Sequence, residues 1–329
     1  MVKMIIDNFN RVHDYLRISL TDMCNLRCFY CMPNEDYDFT PVSRLMQQDE
    51  IYSIAKIFVE NGVKKIRLTG GEPFVRKDAA EIIKSLSSLD INLAVTTNGT
   101  RLHEFEDVLE SSQINSINIS LDTLSPEKFK FITRRDKFAI VKQNIETFIN
   151  KGFHVKVNVV VMKDFNDNEI LDFIEWTKNN PVHVRFIEFM PFAGNRWTSN
   201  KVVSMDEMLR TIAGKYDFIP REGEKNDTEK KYIIPGHEGS FAIISTMTKP
   251  FCDSCNRMRL TADGKLKNCL FSKGETDLLT PFRKGENILP LILENIKAKA
   301  KELGGQFTSK LESVEAQLID NRSMITIGG

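Results

Sequence analysis

Six cysteines in two groups of three are the side chains of this sequence best suited to chemistry. In chain order they are Cys24, Cys28 and Cys31, then Cys252, Cys255 and Cys269. Three thiolates on one short loop can bind three irons of a [4Fe–4S] cube and leave the fourth iron open to a small molecule, whereas clusters that only carry electrons normally have four cysteine ligands. The spacing therefore predicts two clusters, each with one open iron.

Zinc sites and disulfides are the alternative explanations for these cysteines. Structural zinc normally takes four protein ligands, and no histidine stands close enough in the sequence to complete either triplet. A disulfide would leave one cysteine of each triplet unpaired in a reducing compartment. Both alternatives stay open at this point, although the pattern favours iron–sulfur clusters.

The first triplet and a glycine-rich turn together resemble the radical S-adenosylmethionine (SAM) superfamily. Tyr30 stands directly before the third cysteine, and Gly70-Gly71-Glu72-Pro73 follows a predicted strand. On its own this turn could be an ordinary strand-to-helix connection, but consecutive glycines also allow a ligand to approach the backbone closely. The resemblance implies SAM contacts at Gly71 for the methionine amino group, at Ser120 for the ribose or carboxylate, and at Tyr30 and Met190 for the adenine.

The second triplet narrows the resemblance to one family. Cys252-x-x-Cys255-x-Arg257-x-Arg259, a later cysteine and a terminal Gly328-Gly329 are similar to the GTP 3′,8-cyclase family, molybdenum cofactor biosynthesis protein A. The resemblance covers nearly the whole chain. Met23 departs from the pattern of the family, which usually has arginine at this position. The departure puts a local salt bridge of that arginine in doubt, but not the binding of the cluster.

The resemblance implies a radical SAM lyase that converts GTP to 3′,8-cyclo-7,8-dihydro-GTP, the first step of molybdenum cofactor biosynthesis. A 5′-deoxyadenosyl radical from SAM would abstract hydrogen from C3′ of GTP, and the C3′ radical would then bond to C8 of guanine. A second reduction, with uptake of a proton, would give the product. The implied cofactors are two [4Fe–4S] clusters and SAM. The implied partners are a flavodoxin- or ferredoxin-type electron donor and the enzyme that forms the cyclic pyranopterin, with a homodimer as an open option.

Basic side chains in predicted strands are the expected GTP contacts. Carried over by matching motif, the GTP-binding set is Arg17, Lys65, Arg67, Thr96, Lys156, Arg257 and Arg259, and the last two are also the expected catalytic residues. A triphosphate with a charge of about −4 needs several cations, and arginine binds phosphate oxygens bidentately. Arg17, Arg67 and Lys156 alternate with apolar residues, and an unpaired buried charge there would be costly. Glu188 is expected to be structural and not catalytic, as a candidate buried partner for such cations.

Six predicted strands must position these residues. They are Tyr15–Thr21, Lys65–Thr69, Asn92–Thr96, Ser116–Ser120, Val155–Val161 and Val182–Glu188, with helices expected near 49–60, 79–88, 104–111, 139–150 and 167–179. This alternation indicates an α/β fold with a parallel sheet. Right-handed crossovers would curl it into a partial (β/α)6 TIM-type barrel, with the site at the carboxyl ends of the strands and the cations facing the interior.

The pattern changes after about residue 190, so we expect a radical SAM core over 1–190 and a C-terminal α+β extension over 191–329 that carries the second cluster. Its predicted elements are a helix near 205–213, a polar and flexible stretch Arg221–Lys231, strands near 231–234 and 241–245, and a helix Leu289–Lys301. A hairpin of Met258–Thr261 with Lys265–Leu270 would bring Cys269 beside Cys252. The Gly-Gly tail either enters the site or frays.

Composition excludes several classes of protein. Lys plus Arg equals Asp plus Glu at 45 each among 329 residues, which argues against general nucleic-acid binding. No apolar run of about 18 residues is present to span a membrane, and no secretory signal is visible, so we expect a cytoplasmic protein. Two rival functions remain: a peptide-modifying radical SAM enzyme with an auxiliary cluster, and a non-catalytic zinc-binding interaction protein.

Overall fold

A computed structural model describes residues 4–33, 36–112, 114–192, 194–307, 310, 312 and 314–328. Its centre is one sheet, and the six strands predicted for the first half are all present. They are β1 (Tyr15–Ser19), β2 (Lys65–Thr69), β3 (Asn92–Thr97), β4 (Ser116–Ser120), β5 (His154–Val161) and β6 (His183–Glu188). Consecutive strands pair in parallel. The predicted α/β fold of partial-barrel type is confirmed.

The strands have an apolar outer face and a polar inner face. On β1 the outward side chains Leu16 and Ile18 are completely buried, while Arg17 between them lies on the opposite face, as the period of a strand requires. β2 repeats the pattern, with Ile66 and Leu68 completely buried beside Arg67. The charged residues of the predicted GTP set therefore lie inside the barrel.

Helices cover the outer face of the sheet. They are α1 (Gln48–Glu60), α2 (Ala79–Leu86), α3 (Glu106–Ser111), α4 (Pro126–Thr133), α5 (Phe138–Asn150) and α6 (Ile170–Trp176). α1 buries Ile51, Ile54 and Phe58 on one side, and a capping box between Gln47 and Glu50 begins it. Within the described ranges, every helix is too short or too polar to cross a lipid bilayer.

The C-terminal region extends the same sheet at both edges. Its strands are β7 (Ile219–Arg221), β8 (Lys230–Ile233), β9 (Ser240–Ile244), β10 (Arg257–Leu260), β11 (Lys265–Lys267) and β12 (Thr276–Asp277). β10 pairs in parallel with β1, and β9 pairs in parallel with β6. The parallel part of the sheet therefore has eight strands instead of the expected six, although β9 and β10 are not neighbours. The boundary near residue 190 stays a prediction.

The remaining helices are α7 (Met205–Ala213), α8 (Leu279–Arg283), α9 (Leu289–Lys297) and α10 (Met324–Ile327). α7 has the predicted bounds, whereas α9 is shorter than predicted. α4 was not predicted. Ser125 begins it by accepting a hydrogen bond from the Lys128 amide, and Pro126 occupies its first turn. Its apolar pattern is weak because Phe131 is exposed.

Candidate functional site

The first cysteine loop packs against the glycine turn. Gly71 donates its amide hydrogen to the Thr21 carbonyl at 2.7 Å, and Glu72 donates to the Met23 carbonyl at 2.8 Å. A Cβ atom on Gly71 would lie 2.4 Å from the Met23 carbonyl oxygen, so no larger residue fits. The loop that carries Cys24 thus has its path set by the end of β2.

Glu72 connects this turn to β3. Its carboxylate accepts hydrogen bonds from the Thr97 hydroxyl at 2.7 Å and from the Asn98 amide at 2.6 Å. Burial raises the pKa of Glu72 to about 7, although these hydrogen bonds act in the opposite direction. The Asn98 side-chain amide in turn lies 3.7 Å from Cys24 Sγ. The turn and the cysteine loop therefore form one bonded unit.

The thiols of the first triplet are partly buried and not disulfide-bonded. Burial raises the pKa of Cys24 to about 11 and that of Cys31 to about 12, and negative charge on Cys24 further raises the pKa of Cys31. The pKa of Cys28 is raised by burial, by Asp122 and by both other cysteines. The three thiols are therefore close enough for the charge of one to affect the pKa of another. Metal binding deprotonates a thiol outright, so this grouping fits a cationic iron–sulfur cube.

The predicted SAM contacts lie at the same end of the sheet as this triplet. The Tyr30 hydroxyl donates to Asp122 Oδ2 at 2.6 Å, and Asp122 Oδ1 accepts from the Val160 amide at 2.9 Å. Burial raises the pKa of Asp122 to about 6. Met190 packs with Tyr30 in one apolar cluster, and Ser120 ends β4. Tyr30, Ser120, Met190 and Gly71 all lie at the carboxyl ends of the strands.

The second triplet lies at the opposite end of the sheet. Cys252 and Cys255 directly precede β10, which runs parallel to β1. Cys269 follows β11, which returns antiparallel to β10. This hairpin agrees with the prediction, and it brings the three cysteines to the amino end of β1. Charges on Cys255 and Cys269 both raise the pKa of Cys252, after the larger effect of burial.

Hydrogen-bond donors surround the second triplet. The Leu303 amide lies 3.5 Å from Cys252 Sγ, and Lys299 Nζ lies 3.3 Å from Cys255 Sγ. Burial raises the pKa of Cys255, but the charges of Arg257 and Lys299 outweigh it and bring the pKa to about 6. In the described part of the chain, no three histidine, cysteine or acidic side chains lie close enough together to bind one and the same metal ion. In a [4Fe–4S] cube each cysteine binds a separate iron.

Between the two triplets, the parallel register places cations side by side. Arg17 pairs with Arg259 on β10 and with Arg67 on β2. Arg67 donates to the Tyr15 hydroxyl at 2.7 Å and to Thr96 Oγ1 at 3.4 Å. Burial and the neighbouring charge of Arg259 hold the pKa of Arg17 well below its usual value. Such mutual repulsion in a buried space suits an anionic ligand.

Arg257 and Lys65 lie two residues nearer the amino ends of their strands, on either side of Tyr15. Burial alone would raise the pKa of Tyr15, but the charges of Arg67, Arg17 and Lys65 lower it to about 7. The tyrosine hydroxyl is thus surrounded by the same cations that are expected to bind GTP.

A second group of charged residues lies around β5 and β6, and the sequence analysis had identified only Lys156 among its members. Glu229 contacts Lys156 at 3.7 Å, His183 at 3.5 Å and Arg185 at 3.1 Å. It belongs to the stretch that was predicted to be flexible, yet only 6% of it is exposed. The prediction was wrong at this residue because the inward-facing cations bind its carboxylate.

Asn118 was also missed. It is buried on β4, and its register partners are Thr96 and Lys156. Its Oδ1 atom has no hydrogen-bond partner among the described residues. Alternation along Ser-Ile-Asn-Ile-Ser places it on the polar face, so the pattern used for Arg67 could have identified it.

Glu188 has a structural role, as expected, but its partners differ from the expected cations. Its carboxylate accepts hydrogen bonds from the amides of Met205 at 3.0 Å, Met247 at 2.8 Å and Thr248 at 2.9 Å. It therefore joins β6 to the start of α7 and to the loop after β9. The expectation that it pairs with the GTP-binding cations is wrong, because these backbone amides use its oxygens.

The C-terminal tail enters the barrel. Arg259 Nη1 donates to the Gly328 carbonyl at 2.6 Å. A Cβ atom on Gly328 would lie 2.6 Å from Thr69 Oγ1, and the residue has φ of +84°. Arg322 anchors the tail to the β10–β11 turn by two hydrogen bonds to Asp263 at 2.9 and 2.8 Å. Gly329 lies outside the described residues.

Comparisons with known proteins agree with this arrangement. Residues 18–177 match the family described as Radical SAM superfamily, and residues 182–304 match Molybdenum Cofactor Synthesis C. GTP 3′,8-cyclase, mitochondrial, of Arabidopsis thaliana is 46% identical over 99% of this chain and 84% of its own. GTP 3′,8-cyclase of Peptoclostridium acidaminophilum is 40% identical over 99% of this chain and 98% of its own.

Longer relatives and one solved structure complete the comparison. Molybdenum cofactor biosynthesis protein 1 of Mus musculus is 44% identical over 98% of this chain, which spans 51% of that protein. The SAM-bound structure of Streptococcus suis SuiB has a TM-score of 0.58 at 15% identity, covering 94% of this chain and 73% of its own. That likeness concerns the fold alone.

Proposed function

We propose that this chain, which belongs to the radical SAM family of GTP 3′,8-cyclases, binds one iron–sulfur cluster at each end of its barrel and GTP between them. The family reaction is the cyclisation of GTP in molybdenum cofactor biosynthesis. The observation that carries the proposal is the placement of one cysteine triplet at each end of a polar interior, with Arg17, Arg67 and Arg259 in register between them.

Cys24, Cys28 and Cys31 would bind the [4Fe–4S] cluster that defines the radical SAM superfamily. When bound, this group supplies the electron that splits SAM into methionine and a 5′-deoxyadenosyl radical. The protein's part is to orient SAM. The Gly71 turn would bind the methionine amino group, Tyr30 and Met190 would contact the adenine, and Ser120 would face the ribose or carboxylate.

Cys252, Cys255 and Cys269 would hold a second [4Fe–4S] cluster, whose open iron would supply a binding point for the guanine base. The hydrogen-bond donors of Leu303 and Lys299 at the sulfurs support this assignment. Their side of the barrel also carries Arg257 and Arg259, which would bind the triphosphate and stabilise charge that develops in the reaction. GTP would then lie between the two clusters.

The remaining cations would fix the position of GTP. Arg17, Lys65, Arg67 and Lys156 would share the phosphates, and Thr96 would contact the nucleotide beside Arg67. Orientation of this kind can contribute several orders of magnitude to rate, because C3′ must be held against the deoxyadenosyl carbon. The Gly328 carbonyl would keep Arg259 directed into the cavity.

Partners and location complete the proposal. An electron donor of flavodoxin or ferredoxin type would reduce the first cluster, and a downstream enzyme would convert the product to the cyclic pyranopterin. We propose a cytoplasmic location. A homodimer is the oligomeric state to test first. Residues 1–190 and 191–329 would be the two functional regions, although they share one sheet.

A pair of cysteine variants tests the proposal in the full chain. Anaerobically reconstituted wild-type protein should contain about eight irons, four for each cube. Cys24→Ala and Cys252→Ala should each contain about four. Cys24→Ala should lose SAM cleavage, while Cys252→Ala should still cleave SAM slowly with dithionite but form no cyclised GTP. Full cyclisation by Cys252→Ala would overturn the assignment of the second triplet.

A further inference from the structure

Lys299 is a buried lysine beside the second cysteine triplet. Only 4% of it is exposed, and it lies just after α9. Its Nζ atom is 3.3 Å from Cys255 Sγ and 3.0 Å from the Arg257 carbonyl oxygen. An ammonium group in such a place is costly unless a partner balances its charge.

None of the ion pairs found in the described part of the chain joins Lys299 to a carboxylate. The adjoining N-terminal segment has two acidic residues. Asp7 is already paired, at 2.6 Å with Arg11 Nε and at 3.1 Å with His13 Nε2, and Asp14 accepts a hydrogen bond from Asn256 Nδ2 at 2.6 Å. Arg11 also donates to the Cys252 carbonyl at 2.8 Å. Besides the neutral Arg257 carbonyl, the group that contacts the Lys299 ammonium is the Cys255 sulfur, which carries negative charge as a thiolate.

We infer that Lys299 is a positioning residue for the second cluster and that its charge raises the reduction potential of that cluster. The inference rests on the proposed function, because it requires a cluster at the second triplet. Reduction adds one negative charge to the cluster and its thiolates. A fixed cation in contact with one ligand sulfur, away from bulk water, stabilises the more negative state.

A purely structural role is the competing explanation. Lys299 also binds the Arg257 carbonyl, and a lysine just after a helix stabilises the carboxyl end of that helix. Such a role would affect unfolding and iron retention, and it would leave the reduction potential unchanged. The potential therefore separates the two explanations.

The test uses the full chain with its clusters and compares three variants. Lys299→Met removes the charge at similar volume, Lys299→Arg keeps it, and Lys297→Met removes an exposed lysine from the same segment. The midpoint potential of the second cluster is measured by a redox titration followed by electron paramagnetic resonance. Lys299→Met should make reduction about tenfold less favourable, a shift of about −59 mV for one electron. Lys299→Arg, Lys297→Met and the first cluster should stay near wild-type values.

The outcomes are distinguishable. A Lys299→Met protein with wild-type iron and sulfide but an unchanged potential would overturn the inference and leave the proposed function intact. A wild-type protein with only about four irons would contradict the proposal that the second triplet binds a cluster. If Lys299→Met loses iron, Lys299→Gln keeps a hydrogen-bond donor without the charge, and the same negative shift is expected. An unshifted potential in Lys299→Gln would also overturn the inference.

Discussion

Arg259 and Gly328 are joined by a hydrogen bond of 2.6 Å from the guanidinium to the glycine carbonyl, although 68 residues separate them in the chain. Arg259 also neighbours Arg17 across the β1–β10 pair. The tail therefore directs a guanidinium toward the interior where the phosphates are expected. Arg257, two residues earlier on β10, has no such contact with the tail among the described residues.

Gly328→Ala should reduce GTP cyclisation by at least about tenfold, because the φ of +84° is strained for alanine and its Cβ would lie 2.6 Å from Thr69 Oγ1. Product and 5′-deoxyadenosine are measured by mass spectrometry, and SAM cleavage should persist. Gly236→Ala is the matched control, since Gly236 has φ of +86° but nothing within 4 Å of the added Cβ. Normal cyclisation by Gly328→Ala would mean that the tail is dispensable.

Arg257→Ala and Arg259→Ala should each lower cyclisation by at least about tenfold, since hydrogen bonds to charged groups contribute about 1.5–3 kcal/mol each. Iron content should stay at the wild-type level and uncoupled SAM cleavage should continue. Arg44→Ala, at an exposed arginine, is the control for loss of a positive charge. Loss of iron in both variants would instead indicate that these arginines support the cluster.

Glu229→Gln should tighten GTP binding by at least about threefold, because it removes a negative charge within 4 Å of Lys156, Arg185 and His183. The gain should be larger for GTP than for GMP in calorimetric titrations.

The same change should lower the free energy of unfolding of the nucleotide-free protein by about 3 kcal/mol, since the buried cations lose their partner. Glu222→Gln, an exposed position in the same stretch, is the control. Weaker GTP binding by Glu229→Gln would show that the carboxylate positions the cations for the nucleotide.

His13 should make stability depend on pH. Burial, with the charge of Lys299, lowers the pKa of His13 to about 4 from 6.5, although Asp7 acts in the opposite direction. Below pH 6.5 the unfolded chain takes up a proton that the folded chain takes up only near pH 4. His13 alone should therefore lower the free energy of unfolding by about 2 kcal/mol between pH 7 and pH 5, and the lowered pKa values of His154 and His183 act in the same direction.

The His13→Gln variant should show a fall that is smaller by about 2 kcal/mol, because glutamine keeps a donor for Asp7 but does not titrate. Denaturant unfolding at the two pH values measures the difference. His103→Gln, at an exposed histidine, should retain the wild-type dependence. A wild-type pH dependence in His13→Gln would assign the effect to another group.

Local patterns were sufficient for much of the barrel. The cysteine spacings indicated both triplets, and alternation along β1 and β2 placed Arg17 and Arg67 on the inner face. Both signals lie within a few neighbouring residues, so no knowledge of the tertiary structure was needed. The same argument would have identified Asn118.

Features that depend on distant parts of the chain were not predictable in this way. The pairing of β10 with β1 joins Arg257 to Tyr15, and nothing near either residue indicates its partner. Glu229 lies in a polar stretch whose composition indicates exposure, but the cations of β5 and β6 bind it. α4 escaped detection because Phe131 on its surface obscures the apolar period.

The pairing of β1 with β10 has a consequence for how the protein is made. As the chain leaves the ribosome, β1 emerges early but its outer edge has no partner until β10 has been synthesised. An uncovered parallel edge is a site for misassociation, and long-range pairing slows folding. Nascent chains of this enzyme should therefore need protection by chaperones for most of translation, and fragments that stop near residue 190 should aggregate.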